Sequence, residues 1–357
     1  MVFKHLFGAL ALAIAATSAH AEDWSTQANE RDIVLKDFVF ASGEKMDVTM
    51  HVTTLGTPHQ GADGQIDNAV MVLHGTGGSG HQFFRPQFAD ELYGPGQPLD
   101  IKRFYVILPD NIGHGGSSKP SDGMRMAFPH YGYTDMVGAQ KRLLEEGLGV
   151  HHLQLILGTS MGAMHAFIWG TTYPGFAQRL APFACNTVEL AGRNRIWRKM
   201  AIDAIERDPG WNGGNYTKEP ELGLQDAHDI LLLAGSSPLA WQVAHSTRES
   251  ADAFLASQRA DQAASGGDAN DTIYQLDASR DYNPAPLLAR ITVPVLWVNS
   301  ADDFINPPEL GLAQQQVKLM PRARFVLIPA SADTKGHGTH TWARFWKEDL
   351  AKLLAER

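Results

Sequence analysis

The chain has 357 residues, 44% of them hydrophobic, enough for a sizeable buried core in one large α/β domain with an insertion, or in two domains at most. Its formal charge is −9, from 30 Lys and Arg against 39 Asp and Glu with no basic cluster, which excludes the cationic face a nucleic-acid partner needs. The lone Cys185 excludes an intrachain disulfide, and without an HExxH, a paired CxxC or an acidic calcium loop the motifs imply neither metal nor cofactor.

In chain order, Lys4 and His5, the apolar run Leu6 to Ala16 and the small-residue site Ala19-His20-Ala21 match the three regions of a secretory signal peptide. Cleavage is expected after Ala21, leaving residues 22–357 periplasmic or secreted. The apolar run is too short to span a bilayer comfortably, so no stable membrane insertion is expected once it is removed.

Residues 22–186 read as the first part of an α/β core. Asp32 to Phe40 and Met46 to Val52 alternate as two antiparallel strands around the turn Ala41-Ser42-Gly43-Glu44. A polar loop from Gly56 to Asp67 follows. Apolar runs at 69–73, 104–108 and 153–157, with a helix from about Thr134 to Glu146, predict a mostly parallel twisted sheet with flanking helices. The first run ends in His74-Gly75-Thr76-Gly77-Gly78, where residues poor in side chain let backbone N–H groups face open space. The third ends in Gly158-Thr159-Ser160-Met161-Gly162 and restarts as a helix. The strand around Ala181 to Ala184 leads to Cys185, which reads as a small buried apolar residue.

From 187 to 284 the texture changes to amphipathic helices, Gly/Asn turns such as Trp211-Asn212-Gly213-Gly214-Asn215, and a polar stretch from Gln258 to Asp271. A block in that position predicts a helical cap over the C-terminal ends of the strands, where α/β folds bind ligands. Residues 285–357 return to the core. They hold a strand from Val293 to Asn299, the sequence Ser300-Ala301-Asp302-Asp303, a helix from about Pro308 to Met320, a strand from Arg324 to Ile328, the loop Gly336-His337-Gly338 and a closing helix from about Thr341 to Ala355. No internal repeat is present.

A GxSxG turn between strand and helix holds a serine hydroxyl up at the end of a sheet, and an acid and then a histidine follow, each just past a strand. A serine needs a base to take its proton and a third group to orient that base. Ser160 is therefore the expected nucleophile and His337 the general base, because Gly336 and Gly338 free its loop to reach inward. His340 reads as a cap for the last helix, His74 as a hydrogen-bonder in its turn, and His114 as part of the loop Asp110 to Ser117. The residues alone leave the orienting acid open between Asp302 and Asp303, the other being solvated or capping. The oxyanion of an acyl-transfer intermediate needs two backbone N–H groups, and those of Thr76 and Met161 are best placed.

These features resemble the α/β-hydrolase superfamily, and within it the homoserine O-acetyltransferase-like branch. The branch resemblance is carried by Gly94-Pro95-Gly96 with Leu99-Asp100, Thr134 to Val137 leading to Ala139 to Leu144, Ser160-Met161-Gly162 followed by Met164, and Asp208-Pro209 with Trp211, Gly214 and Tyr216. Asp303, with Ile305 and Pro307-Pro308 after it, has the register of the family's acid, so the resemblance implies Asp303 rather than Asp302. The true acetyltransferases carry Gly-Gly before the serine dipeptide and Gln after the second Met, where this chain has Gly158-Thr159 and His165. The segment Ala227 to Asn270 also lacks the Arg-rich stretch with Tyr-Ser expected for homoserine. The expectation is an exported serine hydrolase without cofactor, acting on a small-molecule carboxylic ester or a lactone. The alternatives are an acyltransferase of the homoserine O-acetyltransferase type and a non-catalytic binding protein on a hydrolase scaffold.

Overall fold

In a computed structural model describing residues 23–356, the chain folds around one eight-stranded sheet. Its strands are β1 (Asn29–Val39), β2 (Lys45–Leu55), β3 (Ala69–Leu73), β4 (Tyr105–Pro109), β5 (Leu155–Thr159), β6 (Leu180–Phe183), β7 (Val295–Ser300) and β8 (Ala323–Ile328). They lie in the order β1-β2-β4-β3-β5-β6-β7-β8. β1 and β2 pair antiparallel, β2 meets β4 antiparallel, and every later pair is parallel. The signal peptide expected over residues 1–21 lies outside the described residues.

The helices are α1 (Pro86–Leu92), α2 (Tyr133–Arg142), α3 (Met161–Thr172), α4 (Gly192–Arg207), α5 (Glu221–Gly235), α6 (Pro238–Ala244), α7 (Arg248–Ser265), α8 (Ala269–Asp277), α9 (Leu312–Gln316) and α10 (Lys347–Ala355). Every residue of β3, β4, β5, β6 and β7 is buried, because helices cover both faces of the sheet. Successive side chains enter opposite cores. Met71, Leu73, Ile107, Ile156 and Trp297 join the core with α2 and α3, whereas Val70, Val72, Leu108, Leu157 and Val298 join the one with α1 and α10. Between β6 and β7 the chain leaves the sheet for α4 to α8, which enclose a third apolar cluster of Trp197, Ile202, Ile205, Leu224, Ile273 and Leu276. No helix of the described residues is long and apolar enough to cross a membrane.

Three elements differ from the sequence expectation. The helix expected over 308–320 is broken: a single turn at Pro308–Leu310 stops at Gly311, which takes φ +62°, and α9 covers only Leu312–Gln316. The closing helix starts at Lys347 instead of near Thr341, because Trp342 and Trp346 are non-helical and residues 336–341 form a separate tight turn. Much of the polar stretch from Gln258 is helical, since α7 runs to Ser265 and its Arg259 pairs with Asp229 of α5.

Candidate active site

The turn at Ser160 is fixed by backbone packing. Ser160 takes φ 53° and ψ −112°, a strained conformation for a residue with a Cβ, and so lifts its hydroxyl off the line of β5 as α3 begins. Its N–H donates to the Phe183 carbonyl at 2.8 Å, and the Gly162 N–H donates to the His74 carbonyl at 3.0 Å, tying the turn to both neighbouring strands. The flanking glycines are required by close approach. A Cβ on Gly158 would stand 2.1 Å from the Gly162 carbonyl oxygen, and one on Gly162 would stand 2.2 Å from the Leu73 carbonyl oxygen.

The structure brings Ser160, His337 and Asp303 into one hydrogen-bonded chain. Ser160 Oγ lies 2.8 Å from His337 Nε2, and His337 Nδ1 lies 2.9 Å from Asp303 Oδ2. With the imidazole proton on Nδ1 and donated to the carboxylate, Nε2 is left to accept the serine proton. Asp303 is wholly enclosed, its side chain 0% exposed against 11% for His337. Its Oδ1 accepts the N–H groups of Ile305 and Asn306, and its Oδ2 accepts the Asn306 side-chain amide. Burial alone would raise this carboxyl, but the His337 imidazole and the Asn306 donors together hold it below the usual carboxylate range.

Asp302 is half-buried and caps no helix. It accepts hydrogen bonds from the hydroxyls of Ser300, Ser237 and Thr334 and from the Gly336 N–H. Burial pushes it up and those donors outweigh burial, so it too stays ionised below the ordinary range. This carboxylate joins the end of β7, the start of α6 and the loop that carries His337. Gly336 completes the clasp with φ +57°, and a Cβ there would stand 2.1 Å from the Ser236 carbonyl oxygen. His340 does not cap α10. Its half-buried ring packs edge-on to His337 with centroids 5.1 Å apart, and desolvation, then the neighbouring His337 imidazole, hold it down at about 3.

Of the two residues expected to supply oxyanion donors, Met161 follows Ser160 directly and Thr76 follows Gly75, which packs against that serine. Met161 is the first residue of α3, so its N–H has no acceptor within the helix. A Cβ on Gly75 would be 3.3 Å from the Ser160 Cβ. Asp110 anchors this loop by accepting the N–H groups of Gly80 at 2.7 Å and Gly116 at 2.8 Å. His74 is the structural hydrogen-bonder expected: Nδ1–H donates to the Gly75 carbonyl and Nε2 accepts the Asn111 N–H. Burial lowers its proton affinity and fixes it neutral. His114 lies beside it with the two rings tilted at 53°, and is held at about 3 by burial and the neighbouring imidazole.

Sequence reasoning missed a buried network behind α3. Gln140 of α2 accepts the Trp169 indole N–H at 2.7 Å, donates to Asn111, and lies 3.0 Å from His165 Nδ1. Partners 25 to 29 residues apart leave no local signal. A cleft of about 860 Å³ opens between the acid loop and the helices, lined by Met164, Leu190, Leu239, Phe304 and Ile305 and bounded by Asp303. It does not enclose Ser160 or His337, but reaches Met164, whose N–H bonds the Ser160 carbonyl one helical turn on. Its size suits a small molecule with an apolar portion.

A nucleophile elbow at the end of a mostly parallel sheet is the architecture of α/β hydrolases. Residues 68–333 match the family model described as alpha/beta hydrolase fold, and the chain belongs to that family. Its sequence relatives within that family include acyltransferases and homoserine O-acetyltransferases. A probable acyltransferase of Methanothermobacter thermautotrophicus is 30% identical over 85% of this chain and 91% of its own length. A homoserine O-acetyltransferase of Solidesulfovibrio magneticus is 39% identical, but over only 46% of this chain and 44% of its own length. The solved structure of an acetylester hydrolase from Corynebacterium glutamicum shares the fold at a TM-score of 0.78 and 22% identity, covering 92% of this chain and 96% of that one.

Proposed function

We propose that the chain is an exported serine hydrolase that opens a carboxylic ester, or a lactone, through an acyl-enzyme on Ser160. The observation that carries this reading is the linked chain Ser160–His337–Asp303 at 2.8 and 2.9 Å. His337 Nε2 takes the proton as Ser160 Oγ bonds to the carbonyl carbon, and the carbonyl π pair moves onto oxygen between the Met161 and Thr76 N–H groups. Collapse of that intermediate breaks the bond to the alcohol oxygen, which receives the proton from His337. Water then repeats the sequence with the acyl-enzyme, releasing the acid and the free serine. Asp303 stabilises the imidazolium in both halves and stays ionised throughout.

The second reading is acyl transfer to an alcohol or amine, favoured by the acyltransferase among the sequence relatives. Export argues for water, because acetyl-CoA is a cytoplasmic metabolite. Two further features point the same way: His165 and Gly158-Thr159 depart from the acetyltransferase pattern.

Turnover of p-nitrophenyl acetate with and without a candidate alcohol separates the two readings. Hydrolysis predicts acetate as the product in both cases, whereas constant nitrophenol release with acetate diverted into a new ester establishes transfer. A fluorophosphonate probe is expected to label the intact chain and not Ser160→Ala; an unlabelled wild type returns the chain to the binding-protein reading. Cell fractionation with N-terminal sequencing tests export. A cytoplasmic product that still begins at Met1 removes both the leader and the compartment argument.

A further inference from the structure

Away from Ser160, the described residues gather one group of three side chains of metal-ligand type: Glu30 on β1, His51 on β2 and His81 in the turn Gly80–Phe84. Their ligand atoms all lie within 4.8 Å of one another. His81 Nε2 is 2.6 Å from Glu30 Oε1, and His51 Nε2 is 3.8 Å from Glu30 Oε2. Asp32 stands opposite His51 in the β1–β2 register and two residues from Glu30, on the same face of the strand. Its Oδ1 lies 2.8 Å from His51 Nδ1. With Nδ1 turned to that carboxylate, Nε2 is the nitrogen that faces Glu30, the arrangement that outer carboxylate partners give to metal-bound histidines.

We propose that Glu30, His51 and His81 form a binding site for a divalent transition ion of the zinc class, with Asp32 as the partner that orients His51. Two imidazoles, one carboxylate and a water suit a four-coordinate ion, and the two nearby carboxylates supply the negative charge that attracts it. Tetrahedral ligands at zinc stand about 3.3 Å apart, so on binding His51 and Glu30 draw closer while His81 and Glu30 open from 2.6 Å to admit the ion. The side chains that must move are the free ones: those of His81 and Glu30 are 57% and 44% exposed, against 18% for His51. His51 is also packed on the Gly116 backbone, where a Cβ would be 2.8 Å from the ring. The Nε2 proton of His81, now directed at Glu30, leaves to solvent as the metal takes its place. Bound there, the ion cross-links the edge hairpin to the turn that follows the Thr76 loop. The contributing positions are 21 and 30 residues apart in the chain, so no motif announces them.

The test uses the untagged, EDTA-treated mature chain titrated with zinc chloride, read by calorimetry and by thermal unfolding. One zinc per chain and a saturable rise in unfolding temperature are expected. His81→Ala and Glu30→Gln should each lose that site while unfolding, without metal, at the wild-type temperature; Asp32→Asn should weaken binding by about tenfold or more. Absence of saturable binding at submillimolar zinc overturns the proposal. So does binding that persists unchanged in His81→Ala and Glu30→Gln, which would assign the zinc to other histidines of the chain and leave this group as surface ion pairs only.

Discussion

Around Ser160, backbone packs on backbone at distances that no side chain can enter; the insertion α4 to α8 is held to the core by apolar contacts such as Tyr274 on Phe128 and, at the strand ends, by a few polar clasps. Ser237 bonds Asp302, Asp271 accepts both the N–H and the hydroxyl of Ser121, and Gln275 bonds the Gly113 carbonyl. Contacts of the first kind fix an attack geometry and cannot yield without loss of the fold. The polar clasps, two of them made to carboxylates, can be loosened one at a time. The nucleophile is thus set by covalent geometry and sterics, and the roof over it by chemistry that responds to its surroundings.

The largest separation is expected between the two adjacent acids. Asp303→Asn should lower kcat by about 10⁴-fold, since it removes the charge behind His337, and should also cost about 1–3 kcal/mol, because its amide would meet the Asn306 side-chain amide donor to donor. Asp302→Asn should cost about 1–3 kcal/mol of stability and affect turnover far less, as it cuts the clasp without touching His337. If the Asp302 change alone abolished activity while the Asp303 change did not, the assignment would be off by one residue.

Next in size is the rigid side. Gly162→Ala drives a methyl group into the Leu73 carbonyl and should cost about 3 kcal/mol or more, read in urea unfolding together with loss of probe labelling. A glycine of the insertion in open space, Gly235, should accept alanine with a change of roughly 0.5 kcal/mol at most. Equal costs at the two positions would erase the contrast.

The smallest effects are in pH. Glu219, pushed up to about 7 by burial and the neighbouring Asp268, and Asp271, raised to about 6 chiefly by burial, hold protons in the folded insertion that the unfolded chain has released. The folded state therefore binds more protons between about pH 4 and 7, and stability falls as pH rises through that window. Amide exchange in α8, corrected for intrinsic rates, should be faster at pH 8 than at pH 5, and Glu219→Gln should flatten the difference. Asp302 and Asp303 act in the opposite sense. Both are held below the ordinary range, so their contribution is complete above it and is lost as pH falls through their folded values, below about pH 4.

The same contrast explains what could be read from the chain. The turn at Ser160 is legible because strand, glycines, serine and helix lie within about a dozen consecutive residues, and the glycine spacing encodes the close approaches directly. The order of serine, acid and histidine is legible because each follows a strand. Choosing Asp303 over Asp302 needed the family resemblance, since both follow β7 and only the turn through Asn306 decides which faces His337. The clasp at Asp302, the anchor at Asp110 and the network at Gln140 join distant segments, and no periodicity reports them. The late start of α10 has no sequence signal either, because Trp342 and Trp346 leave the helical conformation through tertiary packing and not through a local breaker.

Cys185, the one thiol in the sequence, is 1% exposed behind the end of β6, and burial pushes its ionisation well above the ordinary value. A maleimide dye offered to the native molecule would thus find no target of its own. A cysteine introduced on the outer surface of α6 would then be the sole attachment point, and the emission of a fluorophore there could follow the roof's motion in real time without any background having to be engineered away.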